Sequence, residues 1–154
     1  MSEPENADAT RARVLIADND AGVSTVLSQV LCRVGLAVEL VGDGQTALER
    51  LRRGGLQLLV CDLDMPNLSG EEVLAALADI PSAPPAVVIS GYLDAASNRR
   101  LLRLPKVLLT LRKPFDVFAF ARLVADLCRG EELTIPAELA GRTQLAPKAR
   151  AAEA

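Results

Sequence analysis

The stretch Leu56-Gln57-Leu58-Leu59-Val60-Cys61 is nearly continuous apolar sequence that stops abruptly in Asp62-Leu63-Asp64-Met65-Pro66-Asn67-Leu68-Ser69-Gly70. Apolar residues that run on without alternating describe a strand covered on both faces, the setting of a parallel sheet packed between helices. Such a strand delivers Asp62 to its carboxyl end. Open parallel sheets bind ligands at that end, in the crevice where strand order reverses, so Asp62 is a candidate functional carboxylate. Taken alone, the stretch equally allows Asp62 or Asp64 to do no more than close a turn, a place Asp favours. The remainder of the chain has to decide.

The same grammar recurs along the sequence. Val14-Leu15-Ile16-Ala17 is a short apolar run ending in Asp18-Asn19-Asp20, followed by Val23, Val26, Leu27, Val30, Leu31 and Val34 at helical spacing until Gly35. Asp20 stands where a helix N-cap belongs, a role that fits it as well as a functional one. Leu36 to Val41, interrupted by Glu39, reads as a strand near the sheet edge, and Asp43-Gly44 as a turn. Ala47, Leu48 and Leu51 form one face of a second helix, with Arg50, Arg52 and Arg53 on its solvated side. Beyond Gly70, Val73, Leu74 and Leu77 mark a third helix, closed by Pro81-Ser82-Ala83-Pro84-Pro85. Ala86 to Ile89 is a fourth strand ending in Ser90-Gly91. Asp94 caps a short helix through Leu102, Val107 to Leu111 is a fifth strand ending in Arg112-Lys113-Pro114, and Asp116 opens a last helix ending at Gly130. Phe115, Phe118 and Phe120 fall too close together to face one core, so we expect one of them exposed and two packed.

Five strands alternating with five helices predict an α/β fold, a doubly wound parallel sheet with right-handed crossovers. The chain of 154 residues provides one domain. We expect a flexible leader over residues 1–12, the folded domain over 13–129, and a disordered tail over 130–154 with at most one short helical turn, because that segment lacks a sustained apolar period. A net charge of −3 gives no electrostatic footing for nucleic acid. With neither a signal peptide nor a membrane-length apolar run, we expect a cytoplasmic protein with no membrane insertion. Cys32, Cys61 and Cys128, an odd and scattered set in apolar segments, read as reduced, buried thiols. The chain has no histidine, which excludes Ser-His-Asp triads, His-based zinc sites and phosphohistidine chemistry.

The polar strand ends acquire meaning together. Asp18, Asn19, Asp20, Asp62, Asp64, Ser90 and Lys113 all fall on the rim that a parallel sheet presents to ligands. Several carboxylates at one rim repel, and a divalent cation relieves them. The donors are hard oxygens, which selects Mg2+. With the cation in place Asp62 can attack a phosphoryl group, while Lys113, Ser90 and the metal neutralise its equatorial oxygens.

From about Arg13 to Arg129 the sequence resembles the receiver domains of two-component response regulators, in Val14-Leu15-Ile16-Ala17-Asp18-Asn19-Asp20, in Asp62 through Gly70, in Val88-Ile89-Ser90-Gly91 and in Lys113-Pro114-Phe115. The resemblance implies a flavodoxin-like fold with strand order 2-1-3-4-5. It implies Asp62 as phosphoacceptor, Ser90 as the switch hydroxyl and Lys113 as the family's lysine with a cis bond to Pro114. It further implies a Mg2+ site drawing on Asp18, Asp62 and the Asp64 main-chain carbonyl. Two positions depart from the family pattern. Asn19 replaces an acidic ligand, which weakens the site unless Asp20 or the Asp64 side chain compensates, and Thr110 stands where an aromatic rotor is common.

The function expected is therefore that of a single-domain response regulator, a phosphoacceptor rather than an enzyme. It would be charged by a histidine kinase or phosphotransfer protein and would signal to a protein target through its fourth helix, fifth strand and fifth helix. The alternatives are a pseudo-receiver adaptor that binds partners without phosphorylation, which Asn19 and Thr110 favour, and a haloacid-dehalogenase-like phosphohydrolase. The latter shares the order Asp62-Leu63-Asp64, Ser90, Lys113 but meets Pro66 where its motif wants Thr or Val.

Overall fold

The computed structural model describes residues 11–149. Among the described residues, six strands form one sheet in the order β2-β1-β3-β4-β5-β6. They are β1 (Arg13–Ala17), β2 (Ala37–Val41), β3 (Leu58–Asp62), β4 (Ala86–Ser90), β5 (Val107–Arg112) and β6 (Thr143–Leu145). The first five are parallel, joined by α1 (Ala21–Arg33), α2 (Gly44–Arg52), α3 (Gly70–Ala76) and α4 (Ala95–Arg103), and α5 (Val117–Cys128) follows β5.

The unbroken apolar runs are explained by the two faces of this sheet. Leu58 and Val60 point into a cluster with Leu27, Leu31, Phe120 and Val124 of α1 and α5, while Leu59 and Cys61 point into a second cluster with Ala47, Leu51, Val73, Leu74 and Leu101 of α2, α3 and α4. Successive side chains of a strand face opposite ways, so a strand buried on both faces needs an apolar residue at every position. Each of the five main helices begins at a side-chain cap, including α2 at Asp43, where the sequence predicts a turn, and α3 at Ser69. Asp20, Asp43, Asp94 and Asp116 accept backbone N–H bonds at the starts of α1, α2, α4 and α5, and Ser69 with Glu72 closes a capping box on α3.

Four expectations are corrected. The sheet has six strands rather than five, because β6 pairs antiparallel with the outer edge of β5, Leu109 opposite Leu145 and Leu111 opposite Thr143. The segment expected to be a disordered tail also forms a 3-10 helix over Ala137–Arg142, and Leu139 within it is fully buried against the α1/α5 side of the core. Apolar residues spaced too irregularly to signal a helix can still dock on an existing core. Arg50 is not on a solvated face. Its guanidinium reaches back to Glu39 on β2 (Nε to Oε1, 2.6 Å; Nη2 to Oε2, 3.0 Å) and to the Gly54 carbonyl at 2.7 Å. That hydrogen bonding holds the Glu39 carboxyl below its ordinary value against the opposing effect of burial. Of the cysteines Cys61 is buried, but Cys32 is exposed and Cys128 only half-buried; all three are free thiols. Phe120 is buried 5.1 Å from the half-buried Phe115, and Phe118 is exposed. The expected leader lies, over residues 1–10, outside the described residues, as do residues 150–154 of the expected tail. Among the described residues no helix is long and apolar enough to cross a membrane.

Candidate functional site

The strand order places β1, β3, β4 and β5 side by side, so the residues at their carboxyl ends share one rim. A cleft of about 700 Å3 opens there, lined by Asn19, Asp20, Asp62, Asp64, Ser90 and Lys113 together with Leu63, Gly91 and Tyr92. Asp18 lies beneath it, 2 % exposed. Six of the sequence-predicted residues therefore line a single cleft, with Asp18 as its floor.

Lys113 organises the inner part. Its Nζ donates to Asp18 Oδ2 at 2.9 Å and lies 3.5 Å from Asp62 Oδ2. Two carboxylates thus share one ammonium, leaving an excess of negative charge in a largely desolvated place. The consequence is visible in the acidity of Asp62, whose pKa is pushed up to about 6 by burial first and by the Asp18 charge second, with the Lys113 charge and the Asp64 backbone N–H acting the other way. Burial alone would depress the Lys113 ammonium; its hydrogen bond to Asp18 and the charges of Asp62 and Asp18 outweigh that and raise it.

The other acids are spent differently. Asp20 Oδ1 accepts from Gly22 N (2.9 Å) and Val23 N (3.1 Å), so the N-cap role is the one this carboxylate performs, at the outer rim. Asp18 Oδ1 accepts from Asp20 N at 2.8 Å, which fixes the turn after β1. Asp64 is exposed. Ser90 is buried and its Oγ is engaged locally, donating to Tyr92 O (2.8 Å) and accepting from Tyr92 N (3.2 Å). The Lys113–Pro114 peptide is cis.

Thr110 is buried in β5 and donates from Oγ1 to Asn98 Oδ1 at 2.6 Å, and the Asn98 amide in turn donates to Gln144 Oε1 on β6. Neither Asn98 nor Gln144 was singled out from the sequence. The available signal was Asn98 lying three residues before Leu101, on the face of α4 that turns inward.

Gly70 and Gly44 hold the loop that follows Asp62. A Cβ on Gly70 would come 2.2 Å from the Asp62 carbonyl oxygen and 2.6 Å from Leu63 Cα, and one on Gly44 would come 1.9 Å from the Leu68 carbonyl oxygen. Those contacts are with backbone, which cannot step aside. Gly70→Ala is expected to cost about 1–3 kcal/mol, read as a lowered thermal midpoint.

No group of three His, Cys, Asp or Glu side chains suited to a metal occurs among the described residues. Two buried carboxylates beside a neutral amide, main-chain oxygens and open cleft do suit Mg2+, which uses one or two carboxylates and keeps several waters. Burial, and the Asp18 charge after it, raise Asp62, and that excess of desolvated negative charge is the physical reason a cation would be held.

The sequence model of the response regulator receiver domain matches residues 14–125. A protein-glutamate methylesterase/protein-glutamine glutaminase of Anaeromyxobacter dehalogenans is 39% identical over 87 residues, 56% of this chain and 24% of that protein. The DNA-binding response regulator MtrA of Mycobacterium tuberculosis is 34% identical over 88 residues, 56% of this chain and 38% of that protein. The chain thus spans well under half the length of these relatives. In fold it is similar to the signal receiver domain of a LuxO repressor protein from Vibrio parahaemolyticus, with a TM-score of 0.71, 21% identity and coverage of 78% of this chain and 92% of that one. It is also similar to a chain in the co-crystal structure of a histidine phosphotransfer signaling protein with the receiver domain of its downstream response regulator from Saccharomyces cerevisiae, with a TM-score of 0.69, 21% identity and coverage of 83% and 95%. The matched residues run from within β1 into α5 and include every residue that lines the rim, and the chain belongs to the response regulator receiver domain family.

Proposed function

We propose that this receiver domain accepts a phosphoryl group on Asp62 from a histidine kinase or histidine phosphotransfer protein. The observation that carries this reading is the sharing of one lysine, Lys113, between Asp18 and Asp62 at the floor of an open cleft. An Asp62 oxygen attacks phosphorus as the bond to the leaving group breaks, and the electron pair departs with the donor's imidazole or carboxylate. Lys113 is positioned to neutralise one equatorial oxygen, and Ser90, on turning from Tyr92, to donate to another. A Mg2+ held by Asp62, Asp18, the Asn19 side chain and the Asp64 main chain would supply further charge neutralisation. Attack requires Asp62 ionised, which its pKa of about 6 provides at neutral pH. Beside the cleft an apolar groove of about 500 Å3, lined by Val23, Val26, Pro114, Phe115 and Val117, offers the donor protein a surface.

The test is intact-mass spectrometry after incubation with acetyl phosphate, with and without Mg2+, on the native chain and on Asp62→Asn. A Mg2+-dependent gain of one phosphoryl group, lost in the variant, is the expected result. The pseudo-receiver reading is favoured by Asn19 and by the lack of a three-acid cluster among the described residues. It predicts no gain at any Mg2+ concentration or with any phosphorylated donor protein.

A further inference from the structure

Residues 137–149 touch every element of the face formed by α4, β5 and α5. Gln144 accepts from Asn98 of α4, Ala146 N donates to Leu108 O of β5 at 2.8 Å, and Glu138 pairs with Arg122 of α5 at 3.0 Å. Lys148 Nζ donates to the Leu104 carbonyl just beyond α4 at 2.8 Å. Leu139 and Ala146 of this segment are fully buried. The edge of β5, which would otherwise present unpaired backbone groups, is occupied by the chain itself.

One link in this covering is polar and buried, and it leads toward the cleft. Thr110 lies on the same sheet face as Ser90, two residues before Arg112, which pairs with Ser90 across β4 and β5. From Thr110 the hydrogen bonds run to Asn98 and on to Gln144. From Ser90 the chain runs through Tyr92, whose backbone holds the Ser90 hydroxyl, into Asp94, the N-cap of α4 one turn before Asn98. A cavity of about 240 Å3, lined by Leu93, Asp94, Asn98, Thr110, Arg112 and Gln144, separates the start of α4 from β6. The start of α4 therefore has room to move where close packing would hold it.

We propose that residues 137–149 are a displaceable occupant of the α4/β5/α5 face, coupled to the phosphorylation site through Thr110, Asn98 and Gln144. This rests on the phosphoacceptor reading of Asp62. For Ser90 to donate to a phosphoryl oxygen it must release the Tyr92 carbonyl. That frees the loop leading into α4, shifts Asn98 and breaks its bond to Gln144. β6 is only three residues long, so losing one anchoring bond weakens its hold on β5, and the uncovered edge is then free to pair with an extended segment of a target. By linkage, removing β6 must in turn favour the phosphorylated arrangement.

The test is hydrogen exchange by mass spectrometry on the full chain, with and without acetyl phosphate and Mg2+, the intact mass of each sample giving the phosphoryl content. Amides of 143–146 are expected to exchange about tenfold faster in the phosphorylated chain, the change that losing one hydrogen bond of ordinary strength produces. Gln144→Ala, a change at an exposed side chain, is expected to raise that exchange without phosphorylation and to leave phosphorylation little to add. Phosphoryl gain with 143–146 unchanged would overturn the coupling and leave the phosphoacceptor reading intact. Absence of phosphoryl gain would overturn both, and the mass alone identifies that case.

Discussion

Lys113→Met is expected to lower stability by about 3 kcal/mol at pH 7 and to slow phosphoryl uptake by about a hundredfold or more. Asp18 has no exposed side-chain surface, and Lys113 is the cation that reaches it, at 2.9 Å. Removing the ammonium leaves a buried carboxylate facing Asp62 with no compensating charge, and a broken buried pair costs more than an intact one contributes. The Asp20 backbone N–H still donates to Asp18, which keeps the loss from being larger. Urea unfolding gives the stability change, and time-resolved intact mass with acetyl phosphate gives the rate. A variant that unfolds at the native urea midpoint would mean that Asp18 is held by its backbone contacts alone.

Asp62→Asn acts in the opposite direction on stability. The Asp62 carboxyl titrates at about 6 in the fold against an ordinary 3.8, so the folded state binds its proton more tightly than the unfolded chain does. Below about pH 4 both states are protonated and the group has no effect. As pH rises from about 4 to about 6 the unfolded chain ionises first, and the fold loses stability that it does not regain at higher pH. In metal-free buffer at pH 7 Asp62→Asn is therefore expected to be more stable than the native chain by about 1–3 kcal/mol. The gain should fade as the pH is lowered through that window. Thermal unfolding at pH 4, 5, 6 and 7 in EDTA checks it, and a gain of equal size at pH 4 would assign the effect to packing rather than charge. Saturating Mg2+ should erase the difference, since the cation stabilises the ionised carboxylate and not the amide.

Both effects come from one economy. The rim holds two carboxylates close together in a buried place, and the fold bears that strain at Asp62. The two substitutions separate the parts: the lysine compensates the buried acid, and the acid is the source of the strain.

The placement of the candidate site was legible in the sequence because its residues sit at strand ends. A buried parallel strand is an uninterrupted apolar run, so the first polar residue after it marks the rim. Asp18, Asp62, Ser90 and Lys113 could be placed on one side of the sheet before any distance was known. The caps were equally local, since Asp20, Asp94 and Asp116 each stand immediately before a helical pattern. What could not be read was how the acids divide their work. That Asp18 lies beneath the cleft and that one lysine serves two carboxylates depend on side chains from three different strands.

The sequence by itself determined the alternation of strands and helices, the two-sided core and the polar rim, because each is written in periodicities that span a few residues. Tertiary structure decided the sixth strand, the Arg50 contact with Glu39 and the path from Thr110 through Asn98 to Gln144. Three residues such as Thr143-Gln144-Leu145 carry no periodic signal. They become a strand because the edge of β5 supplies the hydrogen-bond partners, and Leu139 and Ala146 find buried places beside it.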